Sequence, residues 1–171
     1  IELRCLAHYL NDKDYTEELI HGDVHTRTQQ LAGLPTRAGA KTFTYALLYG
    51  AGNAKLGTIV GGGPEEGNAI RQRYLRGMPS FANLHRTVTQ AAGAGTIRGI
   101  DGRRLRIRSE HAALNTLLQS CAAVIAKQWL INVHDTLPPG ANIVAMIHDE
   151  LCIEADASLD PEEIGLISKN A

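Results

Sequence analysis

The sequence predicts an α/β (α+β) fold in which a series of helices accompanies one antiparallel hairpin. Apolar residues recur with a helical period along most of residues 1–92, and two short, largely β-branched apolar runs follow near residues 143–153. No internal repeat or low-complexity tract is present. With 171 residues, of which 44% are hydrophobic and 20% charged, the chain can bury one good core or two small linked ones.

The helices are predicted from apolar periodicity and from residues that start or stop a helix. Asp23 and Thr36 are predicted N-caps, and Pro161 belongs in a first helical turn. Residues 93–102 are predicted to form a glycine-rich connection, and residues 103–107 an exposed strand. The predicted helices cover residues 1–10, 15–20, 24–32, 37–49, 55–60, 65–75, 79–91 and 111–130, and a last helix begins at residue 161.

Three consecutive ionisable residues, His148, Asp149 and Glu150, separate two apolar runs near the end of the chain. The runs, residues 143–147 and 151–153, have the length of strands, so the triplet is predicted to form a tight hairpin turn. The turn lacks the Asn-Gly or Asp-Gly that such turns favour, which indicates that another requirement selects these residues. By spacing alone, a solvated acidic turn is the simpler explanation.

A row of cations and aromatic residues is predicted on one helix. Arg37, Lys41, Tyr45 and Tyr49 recur every four residues, and each step of four turns by only about 40°, so the side chains form one slanted stripe of ~18 Å. Its cations lie near the helix N-terminus, where unpaired N–H groups favour anions. The stripe could hold a phosphate chain at one end and stack a sugar and base at the other. The alternative is a solvated basic edge with two core tyrosines.

The net charge of −1 conceals a marked segregation of charge. Residues 27–108 contain 13 Lys/Arg and 3 Asp/Glu. In contrast, residues 1–26 contain 2 Lys/Arg and 6 Asp/Glu, and residues 109–171 contain 2 Lys/Arg and 9 Asp/Glu. A basic middle between acidic ends suggests a polyanion-facing segment beside a region that could hold metal. Chance segregation on solvated faces remains the alternative.

Several classes of protein are disfavoured by the sequence. No apolar run reaches membrane-spanning length, and the N-terminus lacks the pattern of a signal peptide. The cysteines are odd in number and form no CxxC pair, so neither a zinc site nor a disulfide framework is predicted. Cysteines that stay reduced favour a cytoplasmic location, in the host cell if the protein is viral. The chain opens in mid-pattern and ends within a predicted helix, so it is expected to be a fragment.

Taken in order along the chain, the motifs resemble family A (Pol I-type) DNA polymerases, closest to the replicative polymerases of small podoviruses. The pattern Arg-x3-Lys-x3-Tyr-x3-Tyr-Gly of residues 37–50 resembles the fingers-helix motif that binds incoming dNTP. The His-Asp-Glu of residues 148–150 resembles the palm hairpin that supplies one catalytic carboxylate. Ile-Glu-Leu-Arg of residues 1–4 resembles the tail of the first palm motif, and residues 22–26 and 115–119 also fit.

The resemblance implies a polymerase palm piece, residues 1–24 and 99–171, with a helical fingers subdomain, residues 25–98. The implied activity is template-directed DNA synthesis by two-metal transfer of a nucleotide from dNTP to a primer 3′-hydroxyl. The implied cofactor is Mg²⁺, with the second carboxylate ligand expected upstream of Ile1, so the chain alone is expected to be inactive. Primer–template DNA and dNTP are the implied partners, with no membrane, and a processivity factor is not visible in the sequence.

The resemblance also implies a role for individual residues. Asp149 is the implied metal ligand, Lys41 the donor of a proton to the leaving pyrophosphate, and His148 a group that helps to place the primer end. Glu150 receives only a supporting role. The implied dNTP ligands are Arg37, Lys41 and His25 at the triphosphate, Tyr45 at the sugar and base, Tyr49 near the templating base, and Glu2, which with Tyr49 excludes ribonucleotides.

The DNA contacts implied by the resemblance fall into two groups. His111, Asn115 and Gln119 are expected to form a second stripe on a long helix and to contact the minor groove, where amide donors check base-pair geometry without reading sequence. Four arginines are expected to contact duplex phosphates: Arg103, Arg104, Arg106 and Arg108.

Two other functions remain open from the sequence. One is a single-subunit RNA polymerase-like nucleotidyltransferase, and the other is a non-catalytic nucleic-acid-binding module. Glu2 and the His-Asp-Glu triplet favour the DNA polymerase over the RNA polymerase-like enzyme, and the effect of Lys41→Ala on DNA and dNTP binding would identify a non-catalytic module.

Overall fold

The computed structural model describes all 171 residues, which form nine α-helices and two separate antiparallel β-hairpins and so confirm the predicted α+β class. The helices are α1 (Glu2–Leu10), α2 (Lys13–His21), α3 (Val24–Ala32), α4 (Arg37–Leu48), α5 (Asn53–Thr58), α6 (Pro64–Gly77), α7 (Pro79–Ala92), α8 (Ala113–Thr136) and α9 (Pro161–Asn170). The strands are β1 (Thr96–Arg98), β2 (Arg104–Arg106), β3 (Ala141–Ile147) and β4 (Glu150–Ala155). No helix combines the length and the apolar composition needed to span a bilayer.

The chain divides into two compact units, one of residues 2–121 and one of residues 122–171 together with Ile1. In the first unit, α3 packs against α4 and α6, and α5 packs against α6. An aromatic cluster lies at its centre: the Tyr74 ring meets Phe43 and Phe81 edge-to-face, with centroids 5.5 and 5.4 Å apart. Because Phe43 belongs to α4, this core fixes one face of α4, whereas Arg37, Lys41 and Tyr49 of another face are exposed.

Helices α5 and α6 approach so closely that Gly67 has no room for a side chain. A Cβ there would overlap the carbonyl oxygen of Asn53 and lie 2.7 Å from the nitrogen of Gly57. We therefore expect Gly67→Ala to lower the free energy of unfolding by about 2 kcal/mol through overpacking. Gly165→Ala in α9 is the control, because its Cβ meets nothing within 4 Å, and it is expected to stabilise the chain by up to ~1 kcal/mol.

Urea unfolding of both glycine variants and the unsubstituted chain measures these differences. Equal stability of Gly67→Ala and the unsubstituted chain would contradict the close approach of α5 and α6.

The first hairpin corrects one prediction. β1 lies within residues 93–102, which are predicted as a glycine-rich connection, and it pairs with β2 in the register Ile97 to Leu105. Ile97 is only 7% exposed, so its burial stabilises β1. The strand has only three residues, which are too few to give a periodic pattern of apolar residues in the sequence. Gly102, at a φ of +81°, permits the turn between the strands. The predicted exposed strand is confirmed as β2.

The second unit contains the β3–β4 hairpin, the second half of α8, and α9. The hairpin register runs from Ala141–Ala155 to Ile147–Glu150. Two side chains of α8 donate hydrogen bonds to backbone carbonyls of the C-terminal segment: Trp129 to Ser168 at 2.7 Å and Asn132 to Ala171 at 2.8 Å. These hydrogen bonds attach the C-terminal segment to α8, in the same compact unit as the β3–β4 hairpin.

Candidate functional site

Helix α4 presents the predicted stripe on one exposed face, which we call the α4 face: Arg37, Lys41, Tyr45 and Tyr49. Thr36 caps the helix as predicted, and its Oγ1 accepts a hydrogen bond of 3.0 Å from the nitrogen of Gly39. Arg37 and Lys41 are exposed, Tyr45 is half-buried and Tyr49 is 50% exposed. Tyr49 occupies the C-cap position just after the last helical residue, so the stripe ends where the helix ends.

His25 lies beside the α4 face at the start of α3. It is only 9% exposed, its ring centroid is 6.1 Å from that of Tyr45, and its buried Nδ1 has no hydrogen-bond partner. Burial lowers the pKa of His25, and the positive charges of Arg37 and Lys41 lower it further, against an opposing effect of Asp23. When it carries the ring proton, this unpartnered Nδ1 can donate a hydrogen bond to an anionic ligand.

Asp23 joins α3 to the α4 face. Its carboxylate caps α3 as predicted, accepting a hydrogen bond of 3.1 Å from the nitrogen of His25. It also accepts two hydrogen bonds from one edge of the Arg37 guanidinium, at 2.5 Å from Nε and 3.1 Å from Nη2. Hydrogen bonds from Arg37 and Thr26 hold the pKa of Asp23 well below its usual range. The sequence pattern does not predict this pair, because the capping role already explains an Asp before His25.

At the other end of the α4 face, Glu2 links Tyr49 to α8. The Tyr49 hydroxyl donates to Glu2 Oε1 at 3.1 Å, and Gln119 Nε2 donates to the same oxygen at 2.5 Å. Burial, followed by this hydrogen bond, raises the pKa of Tyr49. The predicted association of Glu2 with Tyr49 is therefore present, and Gln119 is an additional partner that the sequence pattern does not indicate.

The predicted stripe of His111, Asn115 and Gln119 is not one regular helical row. Helix α8 begins at Ala113, and His111 lies in a 3-10 turn, Glu110–Ala112, that precedes it. The helix therefore starts two residues later than predicted, and the tighter turn changes the direction of His111 relative to the other two residues. Asn115 keeps a buried side-chain oxygen without a hydrogen-bond partner.

The arginines predicted to contact duplex phosphates lie on or next to the exposed β1–β2 hairpin, and all four are exposed. Arg104 lies directly opposite Arg98 in the ladder, an arrangement of like charges that disfavours the hairpin unless an anion is near. Arg103 is already paired with Asp101, at 2.5 Å from Nε to Oδ2. Arg104, Arg106 and Arg108 form no ion pair within the chain.

The three ionisable residues predicted at the β3–β4 turn lie at an exposed tip. A tight hairpin turn joins β3 and β4 as predicted, but it is one residue shorter than the predicted triplet: β3 ends at Ile147 and β4 begins at Glu150, which pairs with Ile147, so only His148 and Asp149 form the turn. His148 has a φ of +58°, a conformation that favours glycine and costs energy for other residues. The side chains of His148, Asp149 and Glu150 are all exposed at this tip. No group of three or more His, Cys, Asp and Glu side chains is arranged to hold a metal ion.

Comparison with known proteins identifies the family. The model of DNA polymerase family A matches residues 1–169. A DNA-directed DNA polymerase of Escherichia phage Phieco32 is 49% identical over 168 residues, which cover 82% of this chain and 27% of the relative. The polymerase of Escherichia phage T7 is 42% identical, over 80% of this chain and 22% of the relative. This chain thus spans about a quarter of the length of these phage relatives.

A solved structure gives the same result. The POL domain of Pol1 from M. smegmatis, in complex with DNA primer-template and dNTP, matches with a TM-score of 0.85 at 26% identity. The match covers 99% of this chain and 34% of that one. The family model, the phage relatives and the fold therefore agree, and the chain belongs to DNA polymerase family A.

Proposed function

We propose that the intact, full-length protein to which this chain belongs is a DNA-directed DNA polymerase, which adds a nucleotide from dNTP to the 3′-hydroxyl of a primer paired to a template. The arrangement of the α4 face carries this proposal, with His25 beside Tyr45 and Glu2 beside Tyr49. The phage relatives are named DNA-directed DNA polymerases, and the mycobacterial structure contains primer-template and dNTP, which supports the same substrates here. The palm and fingers divisions and action in the cytoplasm belong to the same proposal.

Three residues bind the triphosphate in this proposal: Arg37, Lys41 and His25. The two exposed cations lie in the first turns of α4, where the helix dipole also favours an anion. The phosphates supply the partner that His25 Nδ1 lacks within the chain. Lys41 also donates a proton to the leaving pyrophosphate, because its ammonium carries transferable protons beside the developing negative charge.

The aromatic end of the α4 face binds the sugar and base. Tyr45 packs on both, and Tyr49 stacks near the templating base. Glu2, held by Tyr49 and Gln119, occupies the space that a ribose 2′-hydroxyl requires. A carboxylate fixed by two donors cannot move aside without losing a hydrogen bond, so it favours deoxyribonucleotides.

The hairpin tip supplies the metal ligand. Family A DNA polymerases generally use divalent metal ions. The exposed carboxylate of Asp149 fits Mg²⁺, which proteins commonly bind through one or two carboxylates together with substrate phosphates. Asp149 would hold Mg²⁺, which would supply stabilisation of the negative charge that develops during nucleotide transfer. His148 helps to position the primer end, and Glu150 supports the turn.

The DNA contacts of the proposal fall into two sets. Asn115, Gln119 and His111 contact the minor groove, where acceptors are shared by all base pairs. Arg104, together with Arg103, Arg106 and Arg108, contacts phosphates without reading sequence. The arginines that have no partner within the chain are expected to contribute most to the salt dependence of DNA binding.

Primer extension by the intact protein tests the proposal. We expect it to extend a primed template with dNTP and Mg²⁺. Extension with rNTP at comparable efficiency would instead favour an RNA polymerase-like enzyme. DNA binding without incorporation of any nucleotide would favour a non-catalytic module.

Glu2 provides a prediction about sugar selection. We expect Glu2→Ala to reduce the preference for dNTP over rNTP roughly 10- to 100-fold, because the carboxylate that fills the 2′ position is removed. The preference is the ratio of kcat/KM for the two nucleotides in primer extension. Glu17→Ala, which removes an exposed acid from α2 of the same unit, is the control. An unchanged ratio in Glu2→Ala would exclude Glu2 from sugar selection.

A further inference from the structure

The Asp23 carboxylate makes more contacts than helix capping requires. Oδ1 accepts from the nitrogen of His25 at 3.1 Å and from Arg37 Nη2 at 3.1 Å. Oδ2 accepts from the Thr26 hydroxyl at 2.7 Å and from Arg37 Nε at 2.5 Å. One side chain thus connects the start of α3, which carries His25, to the start of α4, which carries Arg37.

We propose that Asp23 is a positioning residue for nucleotide binding: it fixes the Arg37 guanidinium and the α3 N-terminus so that Arg37 and His25 converge on the triphosphate. This inference rests on the proposed function, and it adds a residue to which no role in nucleotide binding has been assigned. Asp23 itself need not touch the nucleotide.

The donors of Arg37 allow it to bind Asp23 and a phosphate together. A guanidinium has five N–H donors in a rigid plane, and the two contacts with Asp23 use only two of them. The remaining three point away from the carboxylate, and the Arg37 side chain is 57% exposed. The pair therefore fixes the orientation of the fork and leaves donors for an anion.

The charge state of the pair and the environment of His25 support the same conclusion. Arg37 holds the pKa of Asp23 far below its usual range, so the carboxylate stays ionised at neutral pH. His25, joined to Asp23 through its backbone nitrogen, is nine-tenths buried and has an Nδ1 without a partner. An unpaired buried nitrogen next to a fixed guanidinium indicates a site organised before its ligand arrives.

Two simpler roles of Asp23 make different predictions. As a helix cap alone it could be replaced by Asn, because Asn caps helices about as well as Asp. As a competitor of the phosphates for Arg37, its replacement would tighten nucleotide binding. Asp23→Asn separates these roles from positioning, since it keeps a capping oxygen but loses the charge and the two-point pairing with Arg37.

The experiment measures KM and kcat for dNTP in primer extension by the intact protein. We expect Asp23→Asn to raise KM roughly 10- to 100-fold, as misplaced binding groups do, with kcat changed much less. Asp160→Asn is the matched control: Asp160 caps α9 in the same manner, through the nitrogen of Glu162, and forms no ion pair. Its KM is expected to equal that of the unsubstituted protein.

A double substitution tests whether Asp23 acts through Arg37. In an Arg37→Ala background, Asp23→Asn is expected to change KM by far less than it does alone. Arg37→Lys keeps the charge and leaves the cap intact but cannot form the two-point pair, and it is expected to raise KM as Asp23→Asn does. If Asp23→Asn lowers Tm, Arg37→Lys still tests the loss of the two-point pair, because it leaves the Asp23 cap of α3 in place.

An unchanged or lower KM in Asp23→Asn, or an equal effect in the Arg37→Ala background, would overturn the positioning role alone. Failure of the unsubstituted protein to incorporate dNTP would overturn the proposed function, and this inference with it.

Discussion

Replacing Asp149 with Asn is expected to reduce the rate of nucleotide incorporation by at least ~10³-fold. Asp149 is the one carboxylate in this chain that we assign to Mg²⁺, and loss of several kcal/mol of charge stabilisation in the transition state corresponds to a decrease of this order. The amide keeps the size and exposure of the side chain at the β3–β4 turn, so folding and primer–template binding are expected to change little. Single-turnover primer extension and a DNA-binding titration separate the two effects.

Glu154→Gln is the control for Asp149→Asn. Glu154 is an exposed acid of the same hairpin, opposite Asn142 and away from the turn, so its replacement removes the same charge from β4 without affecting the tip. Equal losses of activity in the two variants would show that the net charge of the hairpin matters and that Asp149 has no specific role.

Lys41→Ala is expected to lower kcat by roughly 10²- to 10⁴-fold, the usual contribution of a general acid, and also to raise KM for dNTP. Lys41→Arg distinguishes the two effects, because a guanidinium keeps the positive charge but cannot release a proton at neutral pH. We expect Lys41→Arg to recover most of the affinity for dNTP and little of the rate. Presteady-state incorporation at a series of dNTP concentrations gives both quantities.

Lys55→Ala is the control for the lysine variants, since Lys55 is an exposed lysine of α5 outside the α4 face. Full activity of Lys41→Arg would mean that Lys41 supplies only charge. Full activity of Lys41→Ala would show that Lys41 has no role in catalysis or in dNTP binding.

The local parts of this site could be predicted from the sequence because local chemistry determines them. Spacing of four residues places Arg37 and Tyr45 on one face of a helix wherever that helix lies, and Thr36 fixes where it starts. The β3–β4 turn follows in the same way from two apolar runs separated by His148, Asp149 and Glu150.

The contacts between distant residues could not be predicted in this way. Asp23 and Arg37 are 14 residues apart, and Glu2 and Gln119 are 117 apart, so both pairs depend on how helices pack against one another. β1 depends on the burial of Ile97 in the folded unit. A motif indicates which side chains serve a site, whereas packing determines what holds each of them in place.

The proposal requires the β3–β4 tip and the α4 face, which belong to different compact units, to act on the same nucleotide. Nuclear magnetic resonance of the intact protein with primer–template, dNTP and Mn²⁺ in place of Mg²⁺ tests this requirement, because the paramagnetic ion broadens the resonances of nearby protons. We predict that the ring protons of His148 and of Tyr45 broaden together, and that both recover when Mg²⁺ replaces Mn²⁺. Broadening at His148 with sharp Tyr45 resonances, or the reverse, would contradict a shared site.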